Sequence, residues 1–159
     1  MISIIIPTKN AADHLANLLA SLVEQTYSDF EVIVNDDKST TDNTVKLLEK
    51  FDKKLKIKYF RENVSMAQGR KSGARHAKGK YQLHLDADMS LSPQVLEFCI
   101  KEINKGNDAL IIPEISYGKG FWAKVKSFER SMYVGDETIE SVRFVKASVY
   151  NRIGGHNEK

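Results

Sequence analysis

The stretch Ser3-Ile4-Ile5-Ile6-Pro7-Thr8-Lys9-Asn10 joins a β-branched run to a polar loop, and a helical pattern follows it directly. Leu15, Leu18, Leu19, Leu22 and Val23 recur at helix spacing on one face. Strand, loop and helix in that order make the first half of a crossover unit, and the same order returns along the chain. Strands are expected at Ser3–Ile6, Glu31–Val34, Lys56–Phe60, Tyr81–Leu85, Ala109–Ile112 and Val142–Lys146. Between them fall a helix carrying Val45, Leu47, Leu48 and Phe51 with Asp42 as its cap, a basic helix over Met66–Ala77 stopped at Gly79, and a helix from Pro93 to about Lys105 capped by Ser92. Phe121–Tyr133 and a short stretch through Tyr150 and Ile153 read as further helices. The fold class is α/β: a mainly parallel central sheet flanked by helices, in one domain over residues 1–159.

Composition agrees with a single compact core, since 42% of the 159 residues are hydrophobic and 28% charged. The 24 basic residues exceed the 21 acidic ones too slightly to argue for nucleic-acid binding. Cys99 is the only cysteine, which excludes an intrachain disulfide, and its setting in Val95-Leu96-Glu97-Phe98-Cys99-Ile100 suggests a buried helix face. The apolar start Met1-Ile2-Ser3-Ile4-Ile5-Ile6-Pro7 is too short for a membrane span and lacks signal-peptide features. A cytoplasmic location is therefore expected, with peripheral contact at the membrane face left open. Phe121-Trp122-Ala123-Lys124-Val125-Lys126, with Arg130, reads as a core-facing helix, a membrane-surface placement being the alternative.

In an open α/β sheet, ligands gather outside the carboxyl ends of the strands, and three polar loops fall on that edge here. Leu85-Asp86-Ala87-Asp88 leaves an apolar strand. If the backbone stays extended, both carboxylates project to one side, where they can share Mg²⁺ or Mn²⁺ with water and phosphate oxygens. The alternative is a solvated turn. The loop Asn35-Asp36-Asp37-Lys38-Ser39-Thr40-Thr41-Asp42 places Asp37 where a carboxylate can accept from a base N–H or a ribose hydroxyl, whereas Asp42 is explained by capping. In the segment Asn63–Lys80, the cations Arg75, Lys78 and Lys80 fit a solvated helix face, but Arg70 falls near the helix start and can clamp a diphosphate. His76 reads as a surface residue.

Taken in order, these segments resemble the family 2 glycosyltransferases of the GT-A fold. Ser3–Asn10 is similar to their first strand and loop, and Leu22–Val34 to the passage into the second strand. Asp36-Asp37 resembles V-D-D-x-S-x-D-x-T, Gly69-Arg70-Lys71-Ser72-Gly73 resembles A-R-N-x-G, and Leu85–Asp88 resembles D-x-D. Asn35, Lys38 and Lys71 depart from these patterns.

The resemblance implies an inverting, metal-dependent transferase that moves a sugar from a nucleoside-diphosphate donor, UDP- or GDP-linked, to a glycan or lipid-linked acceptor. It implies that Pro7, Thr8, Asn10 and Asp37 line the nucleoside pocket and that Arg70 borders the donor. Asp86 and Ala87 would lie on the donor, with Asp86 toward ribose or metal and Asp88 as the direct ligand of Mn²⁺ or Mg²⁺. Val145–Glu158 resembles the segment ending G-G-F-D-E, after which the family's Glu-Asp pair, with its general base, is expected. That pair would lie beyond Lys159, so the reading is of a C-terminally truncated chain, with Glu158 as a weaker acceptor-side candidate. A nucleotide-sugar-binding module without transfer is the alternative function. A sugar nucleotidyltransferase fits less well, because no glycine-rich phosphate loop follows the first strand.

Overall fold

The computed structural model describes residues 1–62, 65–116, 120, 125, 127–129, 132 and 141–157. The elements run β1 (Ile2–Thr8), α1 (Ala12–Val23), β2 (Phe30–Asp37), α2 (Thr44–Asp52), β3 (Ile57–Glu62), α3 (Met66–His76), β4 (Tyr81–His84), α4 (Val95–Ile103), β5 (Ala109–Ile111), β6 (Val142–Lys146) and α5 (Ala147–Arg152). One six-stranded sheet has the order β3-β2-β1-β4-β6-β5. Its β1–β4 half is parallel, while β6 runs antiparallel to both β4 and β5. This is the mainly parallel α/β arrangement expected from the sequence.

β1 is buried along its whole length, which is why it reads as an almost unbroken apolar run rather than an alternating one. The alternation reappears in what each side chain meets. Ile2, Ile4 and Ile6 pack with Leu15, Leu18, Leu19 and Leu22 of α1, with Leu96, Cys99 and Ile103 of α4, and with Phe144 of β6. Ile5 points the other way, into a smaller cluster with Ile33, Ala74, Val145 and Tyr150. The four α1 leucines are essentially inaccessible to solvent, and each contributes roughly 1.5–3 kcal/mol by burial. Cys99 is buried as expected, and burial pushes its thiol pKa up to about 12.

Several boundaries differ from the sequence expectations. β2 continues through Asn35 and Asp36 to Asp37, because β3 pairs with it through Asp37↔Glu62 and supplies partners for those polar residues. α2 starts at Thr44, leaving Val45 exposed. α4 starts at Val95 rather than Pro93, and it is the Ser92 carbonyl, not its hydroxyl, that accepts the Val95 N–H. α3 ends at His76, so Gly79 is not its stop. Gly79 instead lies against β1 and donates its N–H to Ser3 Oγ at 2.8 Å.

No helix among the described residues is long and apolar enough to cross a membrane. Most of the aromatic and basic segment Phe121–Tyr133 lies outside the described residues. Its helical parts include Val125 and residues 127–129, but Val125 and Phe128 are exposed, at odds with the core-facing placement expected for the segment.

At the amino ends of the strands one buried carboxylate gathers four segments. Glu31 accepts from Ser3 Oγ at 2.6 Å, Lys58 Nζ at 2.7 Å and the Lys78 N–H at 2.7 Å. Burial alone would raise its pKa, but the Lys58 ammonium and these hydrogen bonds reverse the effect and hold it below the ordinary carboxylate value. A lowered folded-state pKa contributes stability that is present above the unfolded value of about 4.3 and is lost as pH falls below it. Denaturation of the wild type and Glu31→Gln should therefore show a smaller decline between pH 5 and pH 3 in the variant; parallel declines would refute the coupling. Gly79→Ala makes a separate case, since a Cβ there would lie 2.6 Å from the Ser3 backbone nitrogen. It should cost roughly 1–3 kcal/mol in urea unfolding.

Candidate functional site

The carboxyl edge of the parallel strands opens into a cleft of about 510 Å³, within the roughly 300–1,000 Å³ usual for small-molecule sites. Pro7, Thr8 and Lys9 from the end of β1 and Asn35 and Asp37 from the end of β2 line one side. Ser65, Met66, Gln68 and Gly69, at the start of α3, line the other. Helix α3 begins where it does because of a capping box. The Ser65 hydroxyl accepts the Gln68 N–H, and the Gln68 side chain accepts the Ser65 N–H. It can lie close to the sheet because Gly73 faces Ile5, where a Cβ would come within 2.7 Å of the isoleucine side chain.

Of the residues expected at the nucleoside, Pro7, Thr8 and Asp37 are brought together in this cleft. Asp37 accepts from Ser39 N–H at 2.7 Å and Ser39 Oγ at 2.5 Å, with Lys9 Nζ at 3.8 Å. The Ser39 contacts hold its carboxyl below the ordinary carboxylate range. Asn10 is placed differently: in a left-handed conformation with φ 48°, it accepts the Thr41 N–H on Oδ1 at 2.8 Å and is not part of the cleft lining. Asp36 is fully buried and structural, accepting from Thr40 Oγ1 at 2.6 Å and Tyr59 Oη at 3.0 Å.

Two buried atoms at the cleft residues, Thr8 Oγ1 and Asn35 Oδ1, have no hydrogen-bond partner among the described residues. The Asn35 amide is oriented by Glu62, whose Oε2 accepts from Asn35 Nδ2 at 2.9 Å and from Ser72 Oγ at 2.5 Å. Those two bonds keep Glu62 in its anionic form, so the nitrogen of Asn35 must face it and the oxygen is left over.

Past Gly69 the site continues through charges. The Met89 N–H donates to the Asp86 carbonyl, so the chain turns at Asp86-Ala87-Asp88 instead of staying extended. The extended backbone that would set the two carboxylates side by side is therefore replaced by a turn. Asp88 is exposed, whereas Asp86 is half-buried. Ala87 packs into the core beneath them. Arg70 of α3 donates Nη2 to Asp86 Oδ1, and Arg143 of β6 donates Nη1 to Asp86 Oδ2 at 3.0 Å. Arg143 also donates Nε to Glu114 Oε1 at 2.6 Å. Burial disfavours the Arg143 charge, but Glu114 and Asp86 outweigh it and raise its pKa.

Behind these arginines His84 is buried, its ring stacked on Tyr150 at 4.9 Å and tilted against His156 at 4.8 Å. Burial, then the positive potential of His156, Arg70 and Arg143, brings the His84 pKa down to about 3. The turn at Gly154-Gly155, with φ of 83° and 76°, lays Gly155 against the Tyr150 ring, where no side chain would fit. His156 follows and donates its N–H to Tyr150 Oη at 3.3 Å. Glu158 lies outside the described residues.

The chemistry of this set can be tested against a divalent cation. Among the described residues no group of three or more His, Cys, Asp or Glu side chains converges on one point. Asp88, with Asp86 close by in the turn, fits a magnesium-like ion that takes one or two carboxylates and completes its shell with phosphate oxygens and water.

The model of the glycosyl transferase family 2 domain matches residues 3–154. The chain belongs to that family. A relative from Escherichia coli, UDP-Glc:alpha-D-GlcNAc-diphosphoundecaprenol beta-1,3-glucosyltransferase WfgD, is 30% identical over 107 residues, covering 67% of this chain and 42% of its own. Across the relatives compared, the chain spans from 11% to 42% of their length. Among solved structures, S. aureus TarS 1-349 in complex with UDP-GlcNAc superposes with a TM-score of 0.68 at 28% identity, over 76% of this chain and 36% of that one. Mannosyltransferase PcManGT from Pyrobaculum calidifontis, in complex with GDP-Man and Mn²⁺, superposes with a TM-score of 0.74 at 21% identity, over 99% and 48%. The GT-A fold implied by the motifs is thus the fold of this family 2 chain.

Arg143, Glu62 and Ser72 enter the site without having been singled out in the sequence. Ser65-x-x-Gln68 was a legible capping signal. Arg143 had none, since it meets Asp86 across 57 positions. The cap position of α2 is Asn43 rather than the expected Asp42, yet the Asp42 carboxylate serves the starts of two helices. Asp42 Oδ1 accepts the Thr44 N–H at 3.0 Å at the start of α2, and its Oδ2 accepts the Ala12 N–H at 2.8 Å at the start of α1. Asp42→Ala should cost about 1–2 kcal/mol and speed hydrogen exchange at both the Ala12 and Thr44 amides; faster exchange at Thr44 alone would show that only one helix depends on it.

Proposed function

We infer that this protein is the donor-binding part of an inverting, divalent-metal-dependent glycosyltransferase. The transfer is from a nucleoside-diphosphate sugar, UDP- or GDP-linked, to a glycan or lipid-linked acceptor. The observation that carries this reading is that Gly69 lines the cleft while the next residue, Arg70, pairs with Asp86 at the carboxyl edge of the sheet. This arrangement provides a pocket for a nucleoside, in which the Lys9 and Asp37 charges offset each other, with guanidinium groups nearby for a diphosphate. The ligands named in the TarS and PcManGT structures, UDP-GlcNAc and GDP-Man with Mn²⁺, are of this chemical class.

In this reading Pro7 and Thr8 border the base, while Asp37, already ionised and held by Ser39, accepts from a base N–H or ribose hydroxyl. Asn10 acts one step back by fixing the rim through Thr41. Arg70 neutralises and orients the diphosphate, and Asp86 takes a ribose hydroxyl or supports the metal. Asp88 is the direct ligand of Mn²⁺ or Mg²⁺, which when bound offsets the charge that develops on the departing nucleoside diphosphate. The general base is placed outside the described residues, with Glu158 a candidate on the acceptor side. A cytoplasmic setting, with the membrane face in reach of a lipid-linked acceptor, belongs to the same reading.

Calorimetry with UDP and GDP, with and without Mn²⁺ or Mg²⁺, tests it. One of the two nucleotides should bind at least about tenfold more tightly with metal, and Asp88→Ala should remove that difference. Metal dependence that survives in the variant would contradict the role given to Asp88. Binding without turnover in the presence of acceptors would favour the binding-module alternative.

A further inference from the structure

Asp86 has its two oxygens held by two guanidinium groups, Arg70 from α3 and Arg143 from β6. One carboxylate cannot neutralise two guanidinium ions, and the deficit is met on the far side of Arg143 by Glu114. Both arginine side chains are largely buried, 18% and 13% exposed, so their charges are poorly screened by water. β6 runs antiparallel to β4 with Leu83 opposite Phe144, which carries Arg143 to the carboxyl end of β4, next to the turn at Asp86. A ligand lying in the cleft and extending past Gly69 meets Arg70 first and Arg143 beyond it.

We propose that Arg143 is a second cationic arm of the donor site, which exchanges its contact with Asp86 for the diphosphate of the nucleotide sugar. This rests on the nucleotide-sugar reading above. Without ligand, Asp86 stands in for the phosphate: it is a planar carboxylate offered to two guanidinium forks, the same pairing a phosphate makes. The diphosphate carries more charge than the carboxylate and draws both forks. Asp86 is then released to accept a ribose hydroxyl or assist the metal, which it cannot readily do while both of its oxygens are held. Glu114 keeps the Arg143 side chain anchored through Nε while its Nη groups turn from one partner to the other.

The test compares UDP with uridine, which lacks the phosphates, at one fixed concentration of Mg²⁺; GDP and guanosine take their places if the calorimetry above selects GDP. Arg143→Gln should weaken UDP at least about tenfold, as expected for a lost charge-assisted hydrogen bond, and leave uridine unchanged. Arg143→Lys, which keeps the charge without the fork, should fall between the two. Thermal unfolding without ligand shows that each variant folds, and Arg143→Lys carries the comparison if Arg143→Gln does not. Equal losses for UDP and uridine, or no loss for either, would overturn the assignment and leave Arg143 a scaffold for Asp86. If the wild-type protein binds uridine and UDP equally, the diphosphate reading itself fails, and the assignment of Arg143 fails with it.

Discussion

The ion pair that the buried Glu31 makes with the partly exposed Lys58 is the constraint around which the sheet is organised. A carboxylate that deep is tolerated only when its oxygens are fully engaged, and here the partners come from β1, β3 and the α3–β4 connection. Each bond therefore fixes a position in the fold as well as satisfying a charge. Ser3 lies directly opposite Glu31 in the β1–β2 register, and a slip by one residue would turn Glu31 away from all of its partners. The close approach of Gly79 to Ser3 completes the node. Because the amino ends of the strands are fastened in this way, the carboxyl ends can be left to polar loops without loss of register.

That division explains the character of the two ends. At the pinned end the polar groups satisfy one another. At the open end satisfaction is incomplete: Thr8 Oγ1 and Asn35 Oδ1 are buried without partners among the described residues, and Asp86 is shared between two arginines. Buried polar atoms left in this state cost stability, about 1–3 kcal/mol each, and such costs in a folded domain are commonly found where a ligand binds. The His84–Tyr150–His156 stack lies beneath the arginines, and with His84 held neutral it adds bulk there without adding to the positive charge.

Much of this was legible in the sequence because it is local. The apolar run of β1, the leucine spacing of α1 and the β-branched composition of the other strands identify their elements without tertiary information. What failed to read correctly depended on partners remote in sequence. Asn35, Asp36 and Asp37 look like a turn, and they are strand only because β3 arrives to pair with them and Tyr59 and Glu62 accept or supply the hydrogen bonds. Gly79 looks like a helix stop, yet its lack of a side chain serves contact with Ser3. The Asp86–Asp88 pair was placed at the correct edge, but the arginine partners of Asp86 come from α3 and β6. Arg143 carries no local signal, since alternation within β6 indicates only that it faces away from Phe144.

The lacing between the first two loops has a mechanical consequence. Asn10 and Ala12 follow β1, Thr40, Thr41 and Asp42 follow β2, and three backbone N–H groups cross between them to side-chain oxygens. Two loops joined at three points move as one plate rather than as two flaps. Lys9, in the first loop, and Asp37, the last residue of β2 before the second, stand on the cleft side of that plate. Pressure from an entering molecule on either would be borne by both, so this rim behaves as a stiff wall, and whatever adjustment the cleft makes falls to the opposite side, where α3 begins.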